Sequence, residues 1–363
     1  MSASDPLSDV LRSVRLRGAV FFYVSCGDEW ASVAPPASML GPVVMPGAEH
    51  VIAYHLMARG DGWAAIDGAP PVRFGAGDVV LVPHGDGHSI SSAPGLVPAC
   101  DDGAWVHRMR NDPKPIPVTY HHGVVHPGAE LPADEAAAVL VCGFIGCDVK
   151  PFNPLLGALP RLLHLRADGV GAWVAPALQQ AVAECRQQRS GGSAVLERLS
   201  EMMFVDAARR YLASLDEGAS GWLAALRDRH VGRALALLHE RPAHAWSVDA
   251  LGREVGLSRS ALHERFLALL GQAPMHYLAN WRIQCAAALL RQSDASVLAV
   301  AQEVGYDSEA AFSRAFKRMV GEPPATWRRR QRRATAAALG AASLADASAT
   351  RADPNPGTAT DAD

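Results

Sequence analysis

A repeat constrains this chain more than any other feature. The segment SVDALGREVGLSRSALHERFLALLG, starting at Ser247, is matched by SVLAVAQEVGYDSEAAFSRAFKRMVG, starting at Ser296. Ser247/Ser296, Leu251/Val300 and Gly256/Gly305 are offset by 49. Ser258/Ser308, Leu262/Phe312, Phe266/Phe316, Gly271/Gly321, Pro274/Pro324 and Tyr277/Trp327 are offset by 50, so one residue has been added at the second turn. Each copy reads as two helices around a tight turn. In the first, Ser247 caps a helix with Val248, Leu251 and Val255 inward and Gly256 ends it. Ser258 then caps a second helix whose buried face is Leu262, Phe266 and Leu269/Leu270. One such hairpin is common in proteins that never touch nucleic acid. Two in register, joined by an apolar helix from about Met275 to Leu290, predict a small all-α domain with two helix-turn-helix units. Second helices about 34 Å apart can enter successive major grooves on one face of a duplex.

The charge pattern agrees once the chain is divided. Its 34 Lys and Arg against 37 Asp and Glu give a formal net charge of −3, which taken whole argues against a polyanion partner. Leu223 to Arg333, however, holds 17 basic and 10 acidic residues, or +7, and the remainder holds 17 and 27, or −10. A basic module joined to an acidic one points to a polyanion for the basic part.

The double unit, over residues 228–330, resembles the DNA-binding domain of the AraC/XylS family of transcriptional regulators. The stretch that carries the resemblance is AQEVGYDSEAAFSRAFKRMVGEPPATWR, with Gly305-Tyr306, Ser308, Phe312, Arg314, Phe316-Lys317, Gly321 and Pro324 in register. It implies a regulator that binds double-stranded promoter DNA, with RNA polymerase as a further partner, and leaves activation or repression open. Helical geometry names the candidate contacts. With Leu262 and Phe266 inside, Ser260, His263, Glu264 and Leu267 face outward; with Phe312 and Phe316 inside, Glu309, Ala310, Ser313, Arg314 and Lys317 do. Ser260, His263, Glu264, Glu309, Ser313 and Arg314 are the candidates for base edges. Arg314 suits guanine O6 and N7, and Glu264 suits the amino group of cytosine. Arg282, Lys317 and Arg318 are assigned to phosphate. The arginine run from Arg328 to Arg333 adds non-specific affinity or is simply solvated.

The N-terminal part has a different texture. Residues 14 to about 150 are rich in Val, Gly and Pro, with short apolar runs such as Val20–Ser25, Val79–Pro83 and Ala138–Phe144, and an Asp67-Gly68 turn of hairpin type. Many short strands with such turns predict a barrel or sandwich. GDVVLVPHGDGH, from Gly77 to His88, fits the second cupin motif, whereas the H-x-H and Glu of the first are missing and only His50 and His55 stand there. Residues 5–165 loosely resemble the cupin-like domain found on some AraC-type regulators. That resemblance includes the stretch LVCGFIGCDVKPFNPLLGALPRLLHL. A transition metal on His55, His88 and His121 or His122 is one candidate use of the many histidines here. Cys26 and Cys142 offer another. Both are similar in position to cysteines of a reactive-chlorine-responsive regulator of the same architecture, which implies switching by thiol oxidation. Cys100 and Cys147 are further candidate partners outside that resemblance. Accessible low-pKa thiols are what such a switch requires. A small organic effector in the barrel is the third option.

Between these parts, residues 177–190 and 193–215 show helical patterns broken at Gly191-Gly192. The second carries an apolar stripe of Val195, Leu199, Met202/Met203, Val205/Asp206 and Leu212, a candidate dimerisation element. The expected organisation is therefore multidomain. A cupin-like sensor spans 1–170, a helical connector 171–221, an all-α double helix-turn-helix domain 222–333, and a low-complexity disordered tail 334–363. No apolar run approaches the roughly eighteen residues that span a bilayer, and MSASDPLSDVLRSVRLRG lacks a signal peptide's apolar centre, so the cytoplasm is the expected location. The reading is a homodimeric transcription factor that senses an effector or oxidant, needs no cofactor and catalyses nothing. The alternatives are a metal-dependent cupin enzyme with a helical accessory domain, and an architectural DNA binder without effector.

Overall fold

The computed structural model describes residues 5–98, 104–167, 174–187 and 189–333. Cys100 and the tail 334–363 lie outside the described residues. The chain starts with a short helix, α1 (Pro6–Ser13), capped by the Asp5 carboxylate, which accepts from the Leu7 amide. There follow β1 (Arg17–Cys26), β2 (Ala31–Ala34), α2 (Ala37–Val44), β3 (His50–Arg59), β4 (Asp61–Ile66), β5 (Val72–Gly75), β6 (Val79–Val82), β7 (His88–Ser91), α3 (Ala104–Arg108), β8 (Ile116–His121), β9 (Val124–Pro127), β10 (Ala138–Cys147) and β11 (Leu163–Leu165). The Asp67-Gly68 turn joins β4 to β5, which pair antiparallel from Asp61↔Gly75 to Ala64↔Val72.

One sheet runs β11-β6-β3-β10-β1-β8-β9 and the other β2-β7-β4-β5. In the larger sheet β1 and β8 are parallel, and its other neighbours are antiparallel. The cupin-like barrel is thus built as two facing sheets rather than one closed ladder. Strand alternation divides their side chains cleanly. On β3, Val51, Ala53 and Met57 join the core between the sheets, while Ile52, Tyr54 and Leu56 join a second core on the outer face of the larger sheet. Covered on both faces, β3 and β10 read as continuous apolar runs rather than as alternating ones.

That outer face is covered by helices. α4 (Val174–Gln187) and α5 (Gly192–Ser214) pack together, and α5 lies across β1. The helix comes so close that a Cβ on Gly18 would stand 2.6 Å from Ser200 Cβ, and the Tyr54 hydroxyl meets Ser200 Oγ at 2.7 Å. This contact divides the expected stripe. The buried face of α5 is Leu196, Ser200, Met203, Phe204, Ala207 and Ala208, and Val195 and Met202 are exposed.

The C-terminal region is helical: α6 (Trp222–Arg227), α7 (Arg229–Glu240), α8 (Val248–Val255), α9 (Arg259–Leu270), α10 (Pro274–Gln292), α11 (Val297–Glu303), α12 (Glu309–Val320) and a last helical segment over 324–333. No helix among the described residues is long and apolar enough to cross a membrane. The outer-face core continues through α1 and Leu155, Leu156 and Leu159 into α6 to α9 and the first half of α10. A separate core holds Ile283, Leu290, Val300, Phe312, Phe316 and Trp327. The first helix-turn-helix unit shares its core with the sheet domain, whereas the second has its own.

Candidate nucleic-acid interface and sensor cavity

The two units are built as the repeat requires. Ser247, Ser258, Ser296 and Ser308 each accept, through the side chain, the amide three residues on. Leu257 donates to the Gly252 carbonyl at 2.9 Å and Tyr306 donates to the Ala301 carbonyl at 2.8 Å. The turns therefore match as far as Leu257 and Tyr306, and the added residue is Asp307. Its effect is local room. A Cβ on Gly252 would stand 2.7 Å from the Leu257 carbonyl oxygen, yet the equivalent position in the longer turn carries the methyl of Ala301.

Burying Leu262 and Phe266 leaves Ser260, His263, Glu264 and Leu267 exposed on α9. Burying Phe312 and Phe316 leaves Glu309, Arg314, Lys317 and Arg318 exposed on α12, with Ser313 half-buried. The two helices differ in how they use their cations. On α9, Arg265 holds Asp228 at 2.6 Å and Arg259 approaches Asp249 at 3.7 Å. On α12, Arg314, Lys317 and Arg318 have no ion-pair or hydrogen-bond partner among the described residues. The arginine run is mostly spent on the protein itself. Arg328 donates to the Ala295 carbonyl, Arg330 to Glu322, and Arg332 to the Ser293 carbonyl while pairing with Asp294.

The assignment of Arg282 to phosphate is corrected. From α10 its guanidinium donates to the carbonyls of Pro242 at 2.7 Å, His244 at 2.8 Å and Gly305 at 3.0 Å, so all three nitrogens are engaged inside the domain. Two further residues of α10 escaped sequence reasoning. Gln284, fully buried, accepts from the Phe152 amide and donates to the Ser13 carbonyl. Arg291 meets Asp148 at 3.1 Å, and Arg15 grips the same carboxylate at 2.6 Å. Gln284 and Arg291 stand seven apart, two turns on one face of α10, and that spacing was the available signal.

In the sheet domain, an apolar cavity of about 70 Å³ opens between the sheets, walled by Phe22, Trp105, Val118, Tyr120 and Phe144 among others. Its polar corner comes from three strands. His55 on β3 meets Cys142 Sγ on β10 through Nδ1 at 3.1 Å and His88 Nε2 on β7 through Nε2 at 2.8 Å. Burial depresses the pKa of both imidazoles, His55 furthest, where His88 adds to the effect. His121 is not part of this corner. It ends β8 and lies against His122, ring centroids 3.9 Å apart. Among the described residues no group of three or more His, Cys, Asp or Glu is arranged to hold a metal ion. His55 stands between its two partners, so the three donors do not converge on one point, and the donor set does not fit the metal that cupins imply. The thiols also depart from expectation. Cys26 is 0% and Cys142 4% exposed, and desolvation pushes both well above the ordinary thiol pKa, with Cys142 adding to the push on Cys26. Cys147 is pushed up to about 12 by burial and Asp148.

Comparison with known proteins places this architecture. A cupin family model matches residues 5–213 and a helix-turn-helix domain model matches residues 251–330. A putative AraC-like transcription regulator of Streptomyces lividans is 32% identical over 330 residues, spanning 90% of this chain and 98% of that one. The chain belongs to the AraC-like transcription regulators. This AraC-like regulator also aligns with the RCS-specific activator RclR of Escherichia coli K12, 27% identical over 202 residues, or 55% of this chain and 70% of that one. The DNA-binding domain of AdpA, solved in complex with a target DNA, is 32% identical and covers 29% of this chain and 94% of its own, with a TM-score of 0.28.

Proposed function

We propose that this regulator binds double-stranded promoter DNA as a homodimer, with α9 and α12 in successive major grooves, and that a small apolar effector in the sheet-domain cavity controls that binding. The observation that carries the DNA part is the outward face of the two capped recognition helices. Ser260, His263, Glu264, Glu309, Ser313 and Arg314 stand there for base edges, flanked by the unpaired Lys317 and Arg318 for phosphate. The exposed Val195 and Met202 on α5 supply an apolar patch for the dimer. A cytoplasmic location and contact with RNA polymerase complete the reading, and no catalytic step belongs to it.

The cavity supports effector control through its size. A dry cavity that takes benzene measures about 150 Å³, roughly twice this one, so an organic guest must push the walls apart. One wall is β10, which carries Cys142 and Phe144 and runs on to Asp148, the carboxylate held by Arg291 of α10. Strain at the cavity thus reaches the helix that joins the two DNA-reading units, and a guest shifts binding by the difference in its affinity for the two packings. Oxidation at Cys26 and Cys142 is the weaker reading, because both thiols are buried and held protonated.

The test is binding of the full chain to duplexes it selects from a random library, with and without small apolar compounds, hypochlorous acid or divalent metal. Ala53→Leu fills the cavity between the sheets. It is expected to abolish the response to the apolar compound and leave DNA affinity within about twofold. A response that survives Ala53→Leu and disappears in Cys142→Ser shifts the reading to oxidant sensing.

A further inference from the structure

Arg282 joins parts of the domain that are far apart in sequence. Pro242 and His244 belong to the loop between α7 and α8, just before the first unit, and Gly305 is in the turn of the second. The loop and turn also touch directly. Gly305 has φ +87°, and a Cβ there would stand 2.7 Å from both Cα and carbonyl oxygen of Ala243. Tyr306, the next residue, lies over the guanidinium with its ring centre 6.0 Å away, and its own ring is held edge-on by Phe312 of α12. Two separately cored units are therefore tied by α10, by the contact of Gly305 with Ala243, and by this planar fork. A guanidinium can satisfy three carbonyls at fixed angles, which an ammonium on a flexible stem cannot.

From this geometry we infer that Arg282 is a positioning residue that sets the separation and rotation of α9 relative to α12, and so the spacing of the two half-sites the regulator accepts on DNA. The inference rests on the proposal that both helices read one duplex. Half-site spacing follows from the geometry of the reading helices, because each added base pair moves the second site about 3.4 Å along the axis and about 34° around it. A chain with the fork intact tolerates little of that displacement; a chain without it lets the second unit follow the displaced site.

The experiment uses the full chain and the bipartite duplex it selects, plus duplexes with one or two base pairs inserted or removed between half-sites, read by fluorescence anisotropy at fixed salt. Wild type is expected to lose at least about tenfold in affinity per base pair of change. Arg282→Ala is expected to lose about tenfold on the optimal duplex, to lose threefold or less on changed spacing, and to bind single half-sites as wild type does. Arg282→Lys keeps the charge without the fork and is expected to fall between them. It carries the test if the alanine variant does not fold. Hydrogen exchange supplies the readout that a merely structural role would not give. Amides of 241–247 and 304–308 should exchange faster in the variants while those of α11 and α12 keep wild-type protection. Variants that keep the sharp spacing preference overturn the inference alone, as does faster exchange throughout α12. A wild-type chain that selects no bipartite duplex overturns the DNA reading and the inference with it.

Discussion

The two helix-turn-helix units share sequence grammar, caps and turn bonds, yet they are attached to the molecule in different ways. The first shares a continuous core with the sheet domain, through α1 and Leu155, Leu156 and Leu159. The second keeps a core of its own around Phe312, Phe316 and Trp327, and meets the rest mainly through α10, Arg282 and Arg291. A repeated motif therefore need not be a repeated mechanical part. The first unit is built as an extension of the sheet domain, and the second is a separately cored body joined to it through few side chains.

The largest expected effect breaks this comparison outright. Phe316 and Phe266 occupy equivalent positions and are both fully buried, so truncating either to alanine should cost about 3–5 kcal/mol. The consequences should differ. Phe316→Ala is expected to raise hydrogen exchange across 283–333 and leave the sheet domain protected, while Phe266→Ala loosens the sheet domain and first unit together. Segment-resolved exchange is the proper measurement, because one melting temperature does not describe units that unfold separately. Equal spread of the two effects would show that the cores are one.

Acidification should separate the same two regions by a somewhat smaller margin. His55, His88 and His239 are buried with depressed pKa values, from desolvation first in each case. Residues 283–333 contain no histidine. A histidine with a lowered folded pKa takes up its proton more readily in the unfolded chain, so its neutral burial is unopposed above about pH 6.5 and destabilises as pH falls below it. At pH 5.5 each such group costs up to about 1.4 kcal/mol, so the three together cost the sheet domain and first unit up to about 4 kcal/mol. The second unit should keep its protection between pH 7.5 and 5.5. His55→Gln should flatten part of the pH slope in the sheet domain.

A finer contrast lies in the turns. Gly256 and Gly305 both have positive φ, but a Cβ on Gly256 meets open space whereas one on Gly305 meets the Ala243 backbone. Gly256→Ala should cost about 1 kcal/mol from conformation alone, and Gly305→Ala about 3 kcal/mol, with the steric clash added. Segment-resolved hydrogen exchange would report the difference, over 248–270 for Gly256→Ala and over 283–333 for Gly305→Ala. Equal costs would mean that the loop before α8 yields freely and that the contact does not position anything.

How much of this was legible in the sequence follows from how local each feature is. Serine caps, turn glycines and the buried positions Leu262, Phe266, Phe312 and Phe316 lie within a few residues of what they act on, so the repeat displayed them directly. The added turn residue was visible as a change of offset, and only the turn bonds identify it as Asp307. Arg282 was misread because its partners are carbonyls 23 to 40 residues away, and carbonyls carry no signature of residue type. The polar corner of the cavity was half visible. His55 and His88 were singled out together, but their meeting with Cys142 depends on strands from two sheets, and His121 was counted with them only because β8 carries it to the same domain. The stripe on α5 was legible as apolar, but not its division between core and surface. Close approach to β1 at Gly18 puts the small Ser200 on the buried face beside Leu196 and Met203, while Val195 and Met202 of the stripe stay exposed.

The smallest expected effect concerns charge on the recognition helices, where the two units differ again. Arg265 and Arg259 on α9 are paired with Asp228 and Asp249, so replacing them should alter the packing of the first unit more than its attraction to DNA. Lys317 on α12 is exposed and has no partner among the described residues, and its counterion-releasing contact should be worth about 1 kcal/mol on any duplex. Lys317→Ala is expected to weaken cognate and random DNA alike and to lower the slope of log affinity against log salt by about 1. Arg314, equally free but nearer the start of the helix, should behave differently. Arg314→Ala is expected to lose about 1–3 kcal/mol on the selected site, to relax the preference at one or two base pairs, and to change random-DNA binding little. Salt titrations on both duplexes separate the two roles. Parallel losses for both variants would make Arg314 a phosphate contact and leave base reading on α12 to Glu309 and Ser313. Sequence preference would then rest more heavily on the neutral and acidic face of α9, in the unit that shares the sheet domain's core.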